Sequence, residues 1–493
     1  MQYPSPKYSL EFWADSFHEG SWACESLKEH LRFEAVEYLQ GFIPRYRFKL
    51  QDGGLLQITV LGSYKSWSPI PPKVAELLAW GKPDLIVYDP VRKLIVVAAE
   101  ETAAVPTGNQ ALQRCERMYG SARVLIPFWY LLPEYGLHKD HHVRRDSIWP
   151  TVLALKLTMH YGVPSVVLHY AKRNKPEAYD VGTGVRQLFR SLAFQVELSF
   201  RLREQKDFQP ILTEQYQSML AFIESQWKQM TRYLPGKAKL SDNGIAESLA
   251  KRKLKGKVPK ELAGFLVWDR VVDLPAHVRM SLAPQTLIKP DSFLSRVEQQ
   301  VGKSCYTLTN KTGSRPQDSD DVRVSIEQQR KLGKYIGLVP PASFTLDLSQ
   351  FPKSKAGRRH VTTAKNVIYL FDSWSEFYSC LVAAYPRLQA LRDKVSRTRR
   401  VLLYVSNSIK PGRIFGDPFT GQLAAYAFTF GKGAVEADNR IVVAYYPHQV
   451  HSQLINGGGQ FNRNKGITLM REVADYAVFH GGVAVAMKTG EIF

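Results

Sequence analysis

Two acids stand at the same end of a short apolar hairpin within residues 82–119, KPDLIVYDPVRKLIVVAAEETAAVPTGNQALQRCERMY. The runs Leu85–Tyr88 and Leu94–Ala99 flank Asp89-Pro90-Val91-Arg92-Lys93, which reads as a turn between two strands. With the turn centred near Val91, paired positions sum to about 182, because side chains on one face repeat every second residue. Asp84 is then expected opposite Ala98 and Glu100 opposite Lys82. Lys82, Asp84, Ala98, Glu100 and Thr102 share a face at the open end. A slip of one residue would bring Glu101 onto that face instead of Glu100, so Glu101 stays as the alternative. Two carboxylates so close need a cation, or one of them must stay protonated. Oxygen ligands of this kind suit Mg²⁺, which keeps several waters and accepts phosphate oxygens. The chemistry implied is metal-assisted phosphodiester hydrolysis, with a nearby lysine to position or deprotonate the attacking water.

The rest of the composition points the same way. Lys+Arg number 66 against 45 Asp+Glu over 493 residues, a formal net charge of +21, which favours a polyanionic partner, nucleic acid being the commonest; the partner expected here is double-stranded DNA. With 44% hydrophobic residues the chain can bury large cores. The 4 cysteines form no CxxC pair, which argues against a zinc ribbon or a disulfide framework. No signal peptide or membrane-length apolar run stands out, so a cytoplasmic, nucleoid-associated protein is expected.

The elements that must position the acids read as mixed α/β. A helix is predicted over Ser26–Phe42, with Ser26 and Glu29 as a capping box. A strand follows at Leu55–Leu61, a helix at Lys73–Trp80, the hairpin, a helix at Thr107–Tyr119 and a strand at Arg123–Phe128. Ser147–Tyr161 reads as a helix, Ser165–Tyr170 as a strand, and 184–233 as long amphipathic helices. Further on, Val401–Val405, LAAYAFTF and RIVVAYY read as strands and Thr468–Phe479 as a helix. The expected fold class is α/β, a mixed sheet flanked by helices over 1–200. A helical basic region or linker (201–310) and a C-terminal α+β DNA-recognition domain (323–493) follow.

The 82–119 stretch resembles the PD-(D/E)XK nuclease superfamily, the fold of many restriction endonucleases and RecB-like repair nucleases. In that family an acid after Pro starts one strand and a (D/E)-x-K triplet ends the next. Pro83-Asp84 matches the first part and Glu100 the second acid. The third position is Thr102 and not Lys, a departure for which Lys82 is the candidate substitute. The helix carrying Gln110, Gln113, Arg114, Arg117 and Tyr119 is similar to the Gln/Tyr helix of RecB-like members, and Glu34 and Glu37 are available for the family's first-helix acid. The resemblance covers about 150 residues. It implies a restriction-endonuclease-like fold and a Mg²⁺-dependent endonuclease of the type II restriction kind; with a single catalytic motif, double-strand cleavage would need a homodimer or a second binding event. Asp84 and Glu100 would be the metal ligands, and Lys82, Glu101, Thr102 and Gln113 would complete the catalytic set. The alternatives are a structure-directed defence, repair or mobile-element nuclease, and a non-catalytic DNA-binding protein on an inactive nuclease fold.

Basic residues give the candidate DNA contacts: Arg114 and Arg117; Lys251, Arg252, Lys253 and Lys255; Arg358 and Arg359; Arg399 and Arg400. Arg463 and Lys465 follow the Gly-rich Asn456–Gln460, whose polar side chains suit base edges. His138, Asp140, His141 and His142 read as a polar loop in preference to a metal site. No P-loop, nucleophile elbow or zincin motif is present.

Overall fold

The hairpin lies inside an eight-stranded mixed sheet. The structure is a computed structural model and describes residues 5–50, 53–63, 69–102, 112–133, 135–137, 143–145, 149–161, 163–170, 218–219, 292–300, 305–309, 366–406, 413–416, 419–433 and 439–493. The chain divides into two compact units, Met1–Asp146 with Leu157–Met219, and Ser147–Lys156 with Leu220–Phe493.

In the first unit the elements are β1 (Tyr8–Ala14), α1 (Phe17–Leu27), β2 (Arg32–Leu39), β3 (Ile43–Lys49), β4 (Leu55–Ser63), α2 (Pro72–Leu78), β5 (Leu85–Asp89), β6 (Leu94–Glu101), α3 (Cys115–Arg123), β7 (Phe128–Pro133), β8 (Tyr135–Leu137), β9 (Val143–Arg145) and β10 (Ser165–Tyr170). The sheet order is β10-β7-β6-β5-β1-β4-β3-β2. β5 and β6 are antiparallel, and β6 runs parallel to β7 through the crossover that contains α3. Every residue of β5 is buried, as expected of an uninterrupted apolar run in a central strand.

The register corrects the sequence reading. Leu85 pairs with Ala99, Ile86 with Ala98 and Val87 with Val97, then a bulge between Val87 and Tyr88 shifts the ladder to Tyr88–Ile95 and Asp89–Leu94. Continued outward, this sets Asp84 across from Glu100, where Ala98 had been expected, and leaves Lys82 beyond the pair. The turn is wider than a two-residue connection: Asp89 Oδ1 accepts from the Val91 and Arg92 N–H groups, and Lys93 takes a positive φ of 56°. The wide turn and the bulge displace the register by two positions, an even step that keeps Asp84 and Glu100 on one face.

The N-terminal region also differs from expectation. Ser16 accepts from the Glu19 N–H and Glu19 Oε2 from the Ser16 N–H, so the capping box starts a helix ten residues earlier than expected. The helix predicted over Ser26–Phe42 is instead the β2–β3 hairpin. Gln40 and Gly41, at φ 49° and 82°, make its tight turn, and Glu37 bridges to Arg45 and Arg47 across the strands. Glu34 and Glu37 therefore sit on a strand. β7 starts at Phe128 because α3 continues to Arg123.

Helix α4 (Trp149–Tyr161) agrees with the predicted span. The second unit holds α5 (Ser292–Gln300), β11 (Cys305–Thr309), β12 (Asn366–Phe371), α6 (Trp374–Ala384), β13 (Arg400–Ser406), α7 (Phe419–Leu423), a π-helix (Ala424–Lys432), β14 (Arg440–Tyr446), α8 (Lys465–Val473), β15 (Tyr476–Phe479) and β16 (Val483–Ala486). Its sheet order is β11-β12-β13-β14-β15-β16. Phe293, Trp374, Phe377, Val401, Leu403, Val443 and Tyr445 belong to one core.

Two predicted elements change type here. LAAYAFTF is helical, since a short apolar run buried on all sides carries no period that separates strand from helix. Tyr476–Phe479 is a strand, because α8 ends at Val473 and Ala474 is extended. Among the described residues no helix is long and apolar enough to cross a membrane. The predicted helices of 184–233, apart from Ser218 and Met219, lie outside the described residues.

Candidate active site

Asp84 and Glu100 pin each other in place. The Asp84 N–H donates to Glu100 Oε2 at 3.2 Å, and the Glu101 N–H donates to Asp84 Oδ2 at 2.8 Å. Each acid thus accepts a hydrogen bond from a backbone N–H across the hairpin, which closes it where its ladder stops. Helix α3 then returns over the strand ends. Arg117 Nη1 donates to both oxygens of Glu100 and lies 3.5 Å from Asp84 Oδ1. Arg114 Nε stands 3.2 Å from Glu100 Oε1. Two carboxylates therefore share one guanidinium nitrogen, and a second guanidinium backs one of them.

The electrostatics follow from burial. The Glu100 side chain has no exposed surface. Burial pushes its carboxyl well above the ordinary glutamate value and the Asp84 charge adds to this, against the pull of Arg117 and Arg114. Burial raises Asp84 as well, opposed by the Glu101 N–H and by Arg117. Glu101 is raised by burial, then by the charges of Asp84 and Glu19.

A cavity of about 320 Å³ opens beside the pair, with His18, Glu19 and Trp22 of α1 on one wall and Asp84, Glu100 and Glu101 on the other. His18, Glu19 and Trp22 were not singled out from the sequence. The signal that finds them is the Ser16-x-x-Glu19 capping box, which starts a helix whose first turns face the hairpin. Of the residues predicted for chemistry, Asp84, Glu100 and Glu101 come together at this cavity. Lys82 is exposed and makes no ion pair among the described residues. Thr102 is buried, and its N–H donates to the Leu131 carbonyl in the β6–β7 ladder. Gln113 is half-buried just before α3, and Gln110 lies outside the described residues.

The basic residues divide. Arg114 and Arg117, expected on phosphate, are turned onto the acids. Arg399 donates to the Arg440 carbonyl, Arg400 begins β13, Arg463 is exposed and Lys465 begins α8. The asparagines expected to read base edges are used within their own loop. Asn456 accepts from the Gly458 and Gln460 N–H groups, Asn462 donates to the Ser452 and Gln453 carbonyls, and Asn464 caps α8. Lys251, Arg252, Lys253, Lys255, Arg358, Arg359 and the His138–His142 loop lie outside the described residues.

The chain matches no family model, no curated protein and no solved structure. What the site can do chemically follows from its donor set. Its oxygens are hard ligands of the kind Mg²⁺ takes, and the pair already gathers on one cation, Arg117. In that respect Asp84 and Glu100 fit a divalent ion, with Glu101 and Glu19 further along the cavity wall. Among the described residues no group of three or more His, Cys, Asp or Glu side chains forms a ready metal cage.

Proposed function

We propose that this chain is a Mg²⁺-dependent DNA endonuclease of the restriction-enzyme kind, similar to the PD-(D/E)XK nucleases, with its chemistry in the cavity beside Asp84 and Glu100. The observation that carries the reading is the convergence of these two carboxylates on one cation in the wall of an open cavity. The chain's +21 net charge supports a polyanionic substrate.

Asp84 and Glu100 would hold the ion, which supplies Lewis acidity and lowers the pKa of a bound water. Glu101 lines the same cavity, has no arginine partner among the described residues and carries a raised carboxyl, so it is placed to accept the attacking water's proton. Arg114 and Arg117 supply the cationic charge that the family's lysine would bring, and guanidinium suits the developing charge on a phosphate. The Thr102 hydroxyl is too poor an acid or base for that work.

A second reading has a specific observation behind it: Arg117 already satisfies both oxygens of Glu100. On that reading the cluster is structural and the chain binds DNA without cutting it. Plasmid DNA incubated with the purified protein, in Mg²⁺ or in EDTA, separates the two. Cleavage in Mg²⁺ alone, abolished in Asp84→Ala and in Glu100→Ala while DNA binding persists, is the expected result. Discrete bands would mark sequence-specific cutting and a smear a structure-directed nuclease. Undiminished cleavage by Asp84→Ala refutes the site, and DNA binding with no cleavage by the wild type favours the structural reading.

A further inference from the structure

We propose that Arg117 is a positioning residue that fills, in the metal-free protein, the place between Asp84 and Glu100 that a divalent cation takes, so that guanidinium and metal compete for the same oxygens. The proposal rests on the reading above that the acid pair binds a metal.

The geometry argues for competition. A single nitrogen, Nη1, serves both Glu100 oxygens and lies 3.5 Å from Asp84 Oδ1. A metal bridging the two carboxylates would need the same lone pairs. The same geometry gives Arg117 its positioning role. It bridges the two carboxylates before any metal arrives, and the reciprocal backbone bonds hold their spacing.

The guanidinium has a second acid beside it: its Nε is 3.9 Å from Glu116 Oε1, and Glu116 is buried. The stem lies along Gly81, where an added Cβ would stand 2.8 Å from Arg117 Cγ and 3.4 Å from its Cα. A glycine at that point is what lets the side chain lie against the strand ends. Arg114 Nε stands 3.2 Å from Oε1 of Glu100 and remains as a counter-charge when Arg117 leaves.

The test measures metal binding with no substrate present. MnCl2 is titrated into full-length wild type, Arg117→Met, Arg117→Lys and Asp84→Asn/Arg117→Met, reading free Mn²⁺ by electron paramagnetic resonance and thermal unfolding in the same samples. Arg117→Met is expected to bind Mn²⁺ roughly tenfold or more tightly than wild type, to melt lower without metal and to recover with it. Arg117→Lys keeps a cation at the pair, so it stays folded without metal and should bind Mn²⁺ between the two. The double variant should lose the gain. Equal Mn²⁺ affinity in wild type, Arg117→Met and Arg117→Lys, lost in the double variant, overturns the competition and leaves the metal reading standing. No Mn²⁺ binding by any of the proteins overturns both.

Discussion

Replacing Glu100 by alanine and then, separately, its neighbour Glu101 probes whether the ion cluster is built on one particular acid. Glu100 is fully buried, accepts from Arg117 Nη1 and the Asp84 N–H, and is ion-paired with Arg114 Nε at 3.2 Å. Breaking a buried pair from one side costs about 3–5 kcal/mol, because the partner's charge stays behind unpaired. Here part of that is recovered, since Arg117 still lies within reach of Asp84 and the repulsion between the two acids disappears. The net loss expected for Glu100→Ala is about 2–3 kcal/mol. Glu101 accepts no side-chain hydrogen bond among the described residues, and its charge is opposed by Asp84 and Glu19. Glu101→Ala is therefore expected to change stability by no more than about 0.5 kcal/mol. Urea unfolding followed by tryptophan fluorescence reads this unit through Trp13 and Trp129, both buried in its sheet. A cost for Glu101→Ala equal to that of Glu100→Ala would refute the assignment of the cluster to Glu100.

Asp84, Glu100 and Glu101 all have carboxyls raised by burial, so their folded values lie above their unfolded ones. Their contribution to stability is then full at low pH and is lost as pH rises through the raised values. Metal binding needs the charged forms, so the acid limb of Mg²⁺-dependent cleavage should fall above the ordinary carboxyl range of about 4. A pH–rate profile with its limb at or below that range contradicts this. In α3 a methyl group added at Gly120 would run into the Trp80 side chain, whereas at Gly457 nothing stands within 4 Å. Gly120→Ala should cost about 1–3 kcal/mol in urea melts and Gly457→Ala almost nothing; equal costs would show that Trp80 is not what confines the helix.

What was legible in the sequence was the hairpin, its shared face and the helix behind it, because two apolar runs around an Asp-Pro turn leave little choice. The displaced register was not legible, since a bulge at Val87/Tyr88 leaves no mark in residue type. Helix α1 was hidden by a competing pattern. Leu31, Ala35, Tyr38 and Leu39 have helical spacing, yet Gln40-Gly41 forces a hairpin there, and with α1 went Glu19 and Trp22. Arg117 was read as a phosphate contact because nothing local ties it to Glu100, 17 positions away. Only the return of the chain from β6 to β7 brings the two together. In the second unit the buried Ala424–Lys432 segment shows why apolarity alone decides burial and not conformation.

That crossover has a consequence for how the cluster comes into being. Asp84 and Glu100 are 16 positions apart and Glu100 and Arg117 are 17, so every charged member comes from one unbroken stretch of chain. Loop-closure entropy for such short separations is small, and each doubling of loop length adds only about 0.6 kcal/mol. The charged knot can tie itself from local chain while β1 is still searching for β4, its parallel neighbour some fifty positions downstream. Length changes in the β2–β3 region leave the knot's own spans untouched, and a residue inserted between Glu100 and Arg117 would alter one directly. The stretch behaves as a cassette: its charge geometry travels with it, and the preceding residues add only the cavity wall that α1 contributes.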